Sequence, residues 1–117
     1  MQIETQEKNG ITIFYLKEGI DFFKAPQIEQ YIMQAIEEKG LKKVLLNLKD
    51  VTYMDSMGLG TLLGIITKKR TQAKIRMCHI ENTILHVIKF SGFLALLQID
   101  DSEEISIQKL LSEDDED

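Results

Sequence analysis

The segment at residues 54–60, MDSMGLG, places an acid, a hydroxyl group and two glycines between an apolar stretch and a helical pattern. The carboxylate of Asp55 and the hydroxyl of Ser56 are the groups in this segment that could do chemistry. Four interpretations are open: a phosphate-binding turn, a nucleophile, an acceptor for a regulatory modification, or a plain helix cap. In strand–helix units of α/β proteins, such a turn is where ligands and partners usually bind.

The sequence lacks the motifs and the general base that usually accompany a catalytic or phosphate-binding serine. The segment has neither the phosphate-binding pattern G-x-x-x-x-G-K-[ST] nor the nucleophile pattern G-x-S-x-G. His79 and His86 fall on a predicted strand and a predicted helix further along, where neither has an evident claim on Ser56 as a base. Cys78 is the single cysteine, and the sequence has no H-x-x-x-H pattern. We therefore expect a protein that is not an enzyme and that uses no cofactor and no metal ion.

Size and charge narrow the class of protein further. The 117 residues are 44% apolar and 28% charged, which is a globular balance for one domain with a hydrophobic core. We predict a single domain over residues 1–112, followed by an acidic, solvated tail over residues 113–117.

The net charge of −5 argues against nucleic acid or an anionic membrane as the main partner. No apolar stretch has the length of a membrane span, and the first residues do not resemble a secretory signal. The expected location is the cytoplasm.

The first half of the chain predicts two strands, a helix and a third strand. Asn9-Gly10 lies between two strand-like segments and predicts a tight hairpin, because a type I′ turn needs positive φ at both central residues. Pro26 suits the first turn of the following helix, and Gly40 suits its C-terminal exit. The run VLLNL at residues 44–48 predicts a short strand buried on both faces. The apolar face of the helix is formed by Ile28, Tyr31, Ile32, Ala35 and Ile36.

The next two elements are a helix and a strand. The helical pattern that starts after Ser56 continues to about Arg70, and KIRMCHI at residues 74–80 predicts a strand. A third helix is then predicted, with Asn82 as its N-cap and Gly92 as its exit.

The last two predicted elements are a strand and a helix. LQID at residues 97–100 predicts a short strand, and the spacing of Asp101 and Glu104 predicts a capping box that opens a final helix. The element order is β-β-α-β-α-β-α-β-α. This order predicts an α/β fold with a mixed β-sheet covered by helices.

Three glycines, Gly58, Gly60 and Gly64, lie in the helix that follows Ser56. Each costs about 1 kcal/mol against alanine in a helix interior, so their presence indicates close packing or access to the backbone. Plain capping by Asp55 or Ser56 is the alternative explanation of this turn.

The stretch VTYMDSMGLGTLLGI at residues 51–65 closely resembles the central motif of the STAS domain in bacterial anti-sigma factor antagonists. In that motif an apolar strand is followed by an aspartate, two hydroxyl residues and Gly-Leu-Gly at the start of a helix. The resemblance extends over nearly the whole chain. GIDFFKAPQIE at residues 19–29 resembles the family's segment ahead of its first helix, and FSGFLALLQIDDSEE at residues 90–104 resembles its closing segment.

The resemblance implies a STAS-like fold and a switch protein. In the family, the hydroxyl residue after the motif aspartate is phosphorylated by an anti-sigma factor that is itself a serine kinase. The unphosphorylated form binds that kinase and frees the sigma factor, and a serine phosphatase resets the switch. By position, Ser56 is the phosphate acceptor. The resemblance assigns four further residues to the partner surface: Asp21, Asp55, Gly58 and Gly60.

Met57 departs from the family pattern, because it replaces the second hydroxyl residue. If its side chain is exposed, we expect an apolar contact with the partner; packing into the core is the alternative. Two other functions stay open at this stage. One is a STAS regulator of a different effector or signalling assembly, and the other is a small nucleotide-binding protein or hydrolase that uses the Ser56 turn.

Overall fold

The structure is a computed structural model that describes residues 3–112. Its element order confirms the predicted alternation of strands and helices, with a 3₁₀ turn at Leu94–Leu96 before the last strand. The predicted tail at residues 113–117 lies outside the described residues. The elements are β1 Ile3–Lys8, β2 Ile11–Ile20, α1 Ala25–Lys39, β3 Lys43–Met54, α2 Ser56–Lys69, β4 Lys74–Cys78, α3 Asn82–Ser91, β5 Ile99–Asp100 and α4 Glu103–Ser112.

The five strands form one mixed sheet in the order β1-β2-β3-β4-β5. β1 and β2 are antiparallel, and β2 through β5 are parallel to one another. The predicted hairpin is confirmed, since Asn9 and Gly10 have φ of 54° and 82°. Because β2 and β3 are parallel neighbours, their C-terminal ends meet at one edge of the sheet, where Ile20 pairs with Met54.

The two faces of the sheet are covered unequally. The larger core lies under α1, α2 and α3, where Ile32, Leu62 and Ile88 are fully or almost fully buried against the sheet. On the other face, α4 is the one helix that packs against the sheet within residues 3–112. Leu110 of α4 packs there in a smaller cluster with Ile11, Ile13, Tyr15, Leu45 and Cys78.

β4 and β5 are each two residues shorter than predicted. Three further details differ from the sequence-based prediction. β3 does not end at Leu48, where the predicted strand ends, but continues to Met54. α3 is capped by Glu81, whose side chain accepts from the Thr83 N–H, and not by Asn82. At the start of α4, the Ser102 hydroxyl accepts from the Ile105 N–H, so Ser102 takes the capping position predicted for Asp101.

Candidate functional site

The helix that carries Ser56 is capped by Asp55. The Asp55 backbone is extended, and its Oδ1 atom accepts from the Gly58 N–H at 2.9 Å. This geometry satisfies one of the free N–H groups at the start of α2. The Asp55 N–H in turn donates to the Ile20 carbonyl oxygen at 3.3 Å, which fixes the start of α2 against the end of β2.

The second carboxylate oxygen of Asp55 reaches the loop between β2 and α1. Oδ2 accepts from the Phe22 N–H at 3.2 Å. One side chain therefore joins the two segments that the sequence resemblance assigned to a common surface, and the structure brings these segments together.

Asp21 holds the same loop from within. Its Oδ1 atom accepts from the N–H groups of Phe23 and Lys24, both at 3.0 Å. Its backbone carbonyl accepts from the Ala25 N–H at 2.8 Å, at the start of α1. The carboxylates of Asp21 and Asp55 are thus engaged in hydrogen bonds within this chain, and both set the shape of the loop.

The two glycines of the motif have different surroundings. A Cβ atom at Gly58 would lie 2.2 Å from the Ile20 carbonyl oxygen, so only glycine lets α2 approach β2 this closely. Gly60 is exposed, and a Cβ atom there would meet nothing within 4 Å. Close packing therefore explains Gly58, whereas Gly60 leaves open backbone at the surface.

Ser56 is exposed at the first residue of α2. Met57 is 51% exposed, so it points outward and does not pack into the core. Phe22 and Phe23 are 55% and 72% exposed in the neighbouring loop. Sequence reasoning missed both phenylalanines, although two adjacent aromatic residues in a predicted loop were a signal for them.

The two histidines lie at the end of β4 and on α3. His79 lies where β4 ends, and its Nε2 accepts from the Glu103 N–H of α4 at 3.3 Å. His86 is exposed on α3. Within residues 3–112, no three His, Cys, Asp or Glu side chains converge closely enough to hold a metal ion.

The strongly shifted ionisable groups lie under α4, away from the Ser56 turn. Burial by itself raises the pKa of Asp100, but hydrogen bonds from Arg76, Ser106 and Lys109 outweigh burial and hold the pKa at about 2. Burial also raises the pKa of the Cys78 thiol to about 12, which leaves it protonated and unreactive.

Glu103 anchors the start of α4 to three strands. Its carboxylate accepts hydrogen bonds from Lys8 of β1, Tyr15 of β2 and Asn47 of β3. Burial works against the charged form of Glu103, yet these three donors lower its pKa below the usual range. The polar contacts under α4 therefore have a structural role.

The mixed five-stranded sheet and its covering helices define a small α/β domain that carries an exposed serine at the N-terminus of α2. The sequence matches the STAS domain family over residues 2–105. The chain belongs to this family. Among the described residues, no helix has the length and apolar composition needed to cross a membrane.

Relatives and solved structures agree with this assignment. The chain is 26% identical over 113 residues to an anti-sigma F factor antagonist of Paenibacillus polymyxa, covering 94% of this chain and 95% of the relative. An anti-sigma factor antagonist from Mycobacterium paratuberculosis superposes with a TM-score of 0.83 at 16% identity, covering 93% of this chain and 92% of that one. The shared fold is therefore established.

The Bacillus cell fate determinant SpoIIAA, an anti-sigma factor antagonist, has been solved in two forms. Its unphosphorylated form superposes with a TM-score of 0.68 at 20% identity, covering 92% of this chain and 96% of that one. Its phosphorylated form superposes with a TM-score of 0.67 at 21% identity, covering 92% of this chain and 98% of that one.

Proposed function

We propose that this protein is an anti-sigma factor antagonist whose partner binding is switched by phosphorylation of Ser56. In its unphosphorylated form it binds an anti-sigma factor that is a serine kinase, and the sigma factor is released. A serine phosphatase restores the binding form. The names of the relatives support the class of function, and the two solved forms of SpoIIAA support control by a phosphate.

The observation that carries this proposal is that Asp55, and not Ser56, caps α2. Asp55 caps α2, so the Ser56 hydroxyl is not needed for the cap and stands exposed at the first helical residue. A kinase needs an accessible hydroxyl on a backbone that it can approach. The open surface at Gly60, one turn further along, provides that approach.

A phosphate on Ser56 would act mainly on the complex and little on the fold. It adds about −1.5 to −2 charges and three acceptor oxygens. At the N-terminus of α2 the free N–H groups and the helix dipole favour a negative charge. A partner surface shaped for a neutral hydroxyl would instead have to desolvate that charge, which is costly when it is left unpaired. Met57 and the neighbouring loop surround the hydroxyl in such an interface.

Phosphate transfer to the purified protein tests the proposal. Wild type, Ser56→Ala and Ser112→Ala are each incubated with radiolabelled ATP and native lysate of the organism that encodes the chain. Ser112 is the matched control, because it is an exposed serine at the end of α4. We expect wild type and Ser112→Ala to be labelled and Ser56→Ala to remain unlabelled. Label that persists in Ser56→Ala, or a wild-type protein that is never labelled, would contradict the proposal.

The second half of the test follows the sigma factor. The kinase that labels Ser56 is purified through that activity and loaded with its sigma factor. Adding unphosphorylated wild-type protein should displace the sigma factor on a sizing column, and protein phosphorylated at Ser56 should not. If the unphosphorylated and the phosphorylated protein leave the same amount of sigma factor bound to the kinase, release of the sigma factor is not the output of the switch.

A further inference from the structure

Two exposed aromatic rings stand beside the Ser56 turn. Phe22 and Phe23, called here the aromatic pair, are 55% and 72% exposed. Their ring centroids lie 4.1 Å apart at an interplanar angle of 32°. Large aromatic side chains in contact with each other and with water are a feature of interaction sites, because aromatic residues contribute strongly to protein interfaces.

The aromatic pair is held in place by the backbone that carries it. The Phe22 N–H donates to Asp55 Oδ2, and the Phe23 N–H donates to Asp21 Oδ1. Both acceptors are carboxylate oxygens, and hydrogen bonds to carboxylates are stronger than those between neutral groups. A loop that is fixed in this way loses little conformational entropy when a partner covers it.

The aromatic pair also adjoins the phosphate acceptor. Asp55, which holds Phe22, directly precedes Ser56 and caps the helix that Ser56 begins. Met57 follows and is 51% exposed. The residues on either side of Ser56 therefore connect it to exposed apolar residues: Asp55 binds the loop that carries the aromatic pair, and Met57 follows in α2.

We infer that the aromatic pair, together with Met57, is the docking anchor for the serine kinase that acts on Ser56, and that this kinase has an apolar recess beside its phosphate-transfer site. This inference rests on the proposed function. Asp21 and Asp55 act as positioning residues in this interface, since their carboxylates orient the aromatic pair.

A second copy of this chain is a poorer fit to the same surface. A copy seated on the aromatic pair would cover Ser56 and exclude the kinase. Each copy also carries a net charge of −5, which opposes self-association. The kinase, in contrast, has to approach this edge of the sheet to reach the hydroxyl.

The chain offers a matched control for the aromatic pair. Phe90 is 91% exposed, and it lies in the last turn of α3. It is the same residue type, more exposed than Phe23, and carried by a different element. A nonspecific effect of removing exposed aromatic surface would appear in Phe90→Ala as well.

The test measures initial rates of Ser56 labelling against protein concentration, using the kinase activity that labels Ser56 in native lysate. For Phe23→Ala we expect KM to rise by about tenfold or more, with kcat little changed, because an anchor of this kind is removed without touching the hydroxyl. For Phe90→Ala the KM should stay within about twofold of wild type. Thermal unfolding of both variants should match wild type, since both side chains are exposed.

The possible failures are distinguishable. If wild type is labelled on Ser56 but Phe23→Ala keeps the wild-type KM, the anchor is refuted and the proposed function stands. If Phe23→Ala and Phe90→Ala raise KM equally, the anchor is also refuted. If sedimentation shows a wild-type dimer that Phe23→Ala dissociates, the surface binds a second copy and the inference is wrong. If Ser56 is never labelled, the proposed function fails and this inference fails with it.

Discussion

Replacing Gly58 by alanine should destabilise the protein, because the new methyl group has no space. Its Cβ would lie 2.2 Å from the Ile20 carbonyl oxygen, 2.9 Å from Ile20 Cγ2 and 3.0 Å from Met54 Cγ. The nearest atom belongs to the backbone of β2, and the same carbonyl accepts from the Asp55 N–H. Relief of the contact would require α2 to move away from β2, which would weaken that hydrogen bond.

The expected cost follows from two opposing contributions. Overpacking costs about 1–3 kcal/mol, and a clash with backbone belongs at the upper end. Alanine in place of glycine returns about 1 kcal/mol of helix propensity. The net loss in the free energy of unfolding is therefore about 2 kcal/mol. For a domain of this length, the Tm should fall by roughly 8 °C.

Gly60→Ala is the matched control, two residues along the same helix. A Cβ atom there meets nothing within 4 Å, so only the propensity gain of about 0.4–1 kcal/mol should remain. Urea and thermal unfolding of both variants measure the contrast. We expect Gly58→Ala to unfold earlier than wild type and Gly60→Ala to unfold slightly later. A Gly58→Ala protein as stable as wild type would refute the close approach of α2 to β2.

The remaining predictions concern the switch, its surface and the acid stability of the fold. Ser56→Asp should abolish binding to the purified kinase while changing the free energy of unfolding by less than about 1 kcal/mol, because an acid is favourable at a helix N-terminus. Tight binding by this variant, or a loss of binding that merely follows unfolding, would refute the switch. Met57→Ser should weaken kinase binding in a titration without altering the Tm, since Met57 is half exposed; an unchanged affinity would remove its contact role. For Asp100, the folded pKa of about 2 lies below the ordinary value of 3.8, so its carboxylate stabilises the fold above pH 4, and this contribution is lost as the pH falls through 2. The difference in the free energy of unfolding between wild type and Asp100→Asn should therefore shrink by about 2 kcal/mol between pH 5 and pH 2. Asp101→Asn, at an exposed position, is the matched control. A constant difference for Asp100→Asn would contradict the assignment.

Features set by local backbone conformation could be predicted from the sequence. Asn9 and Gly10 form the hairpin turn, and Gly40 and Gly92 end α1 and α3 with positive φ. These residues act through their own conformational preferences, which do not depend on distant contacts. The element order was predictable because these turn and cap residues mark the ends of elements and the apolar periodicity identifies each element as a strand or a helix.

Features set by tertiary contacts were harder to predict. The second half of β3 mixes the polar residues Lys49, Asp50 and Thr52 with apolar ones, and it pairs with β2 in a register that shifts twice, after Tyr15 and after Glu18. These irregularities break the alternation that identifies a strand. At α3 the cap is Glu81, one residue before Asn82, and its carboxylate accepts from the Thr83 N–H two residues further along.

At the candidate site, the sequence indicated which segments meet but not what each side chain does. The resemblance placed Asp21 and Asp55 on a partner surface, and the structure shows their carboxylates bonded to loop and helix N–H groups. Whether the partner also contacts these aspartates stays a prediction. Phe22 and Phe23 are exposed in a loop whose N–H groups bond to those carboxylates, and apolar patterning does not reveal such a loop conformation.

The two outer strands of the sheet restrict how this protein can associate with other chains. β5 has only two residues, which is too short to guide an added strand. β1 is longer, but it carries charges at Glu4, Glu7 and Lys8, the kind of residue that discourages edge-to-edge pairing and aggregation. Recognition by strand addition, in which backbone groups supply the contacts, is therefore disfavoured at both borders. Specificity has to come from side chains presented by loops and helix ends, where single substitutions can redirect it.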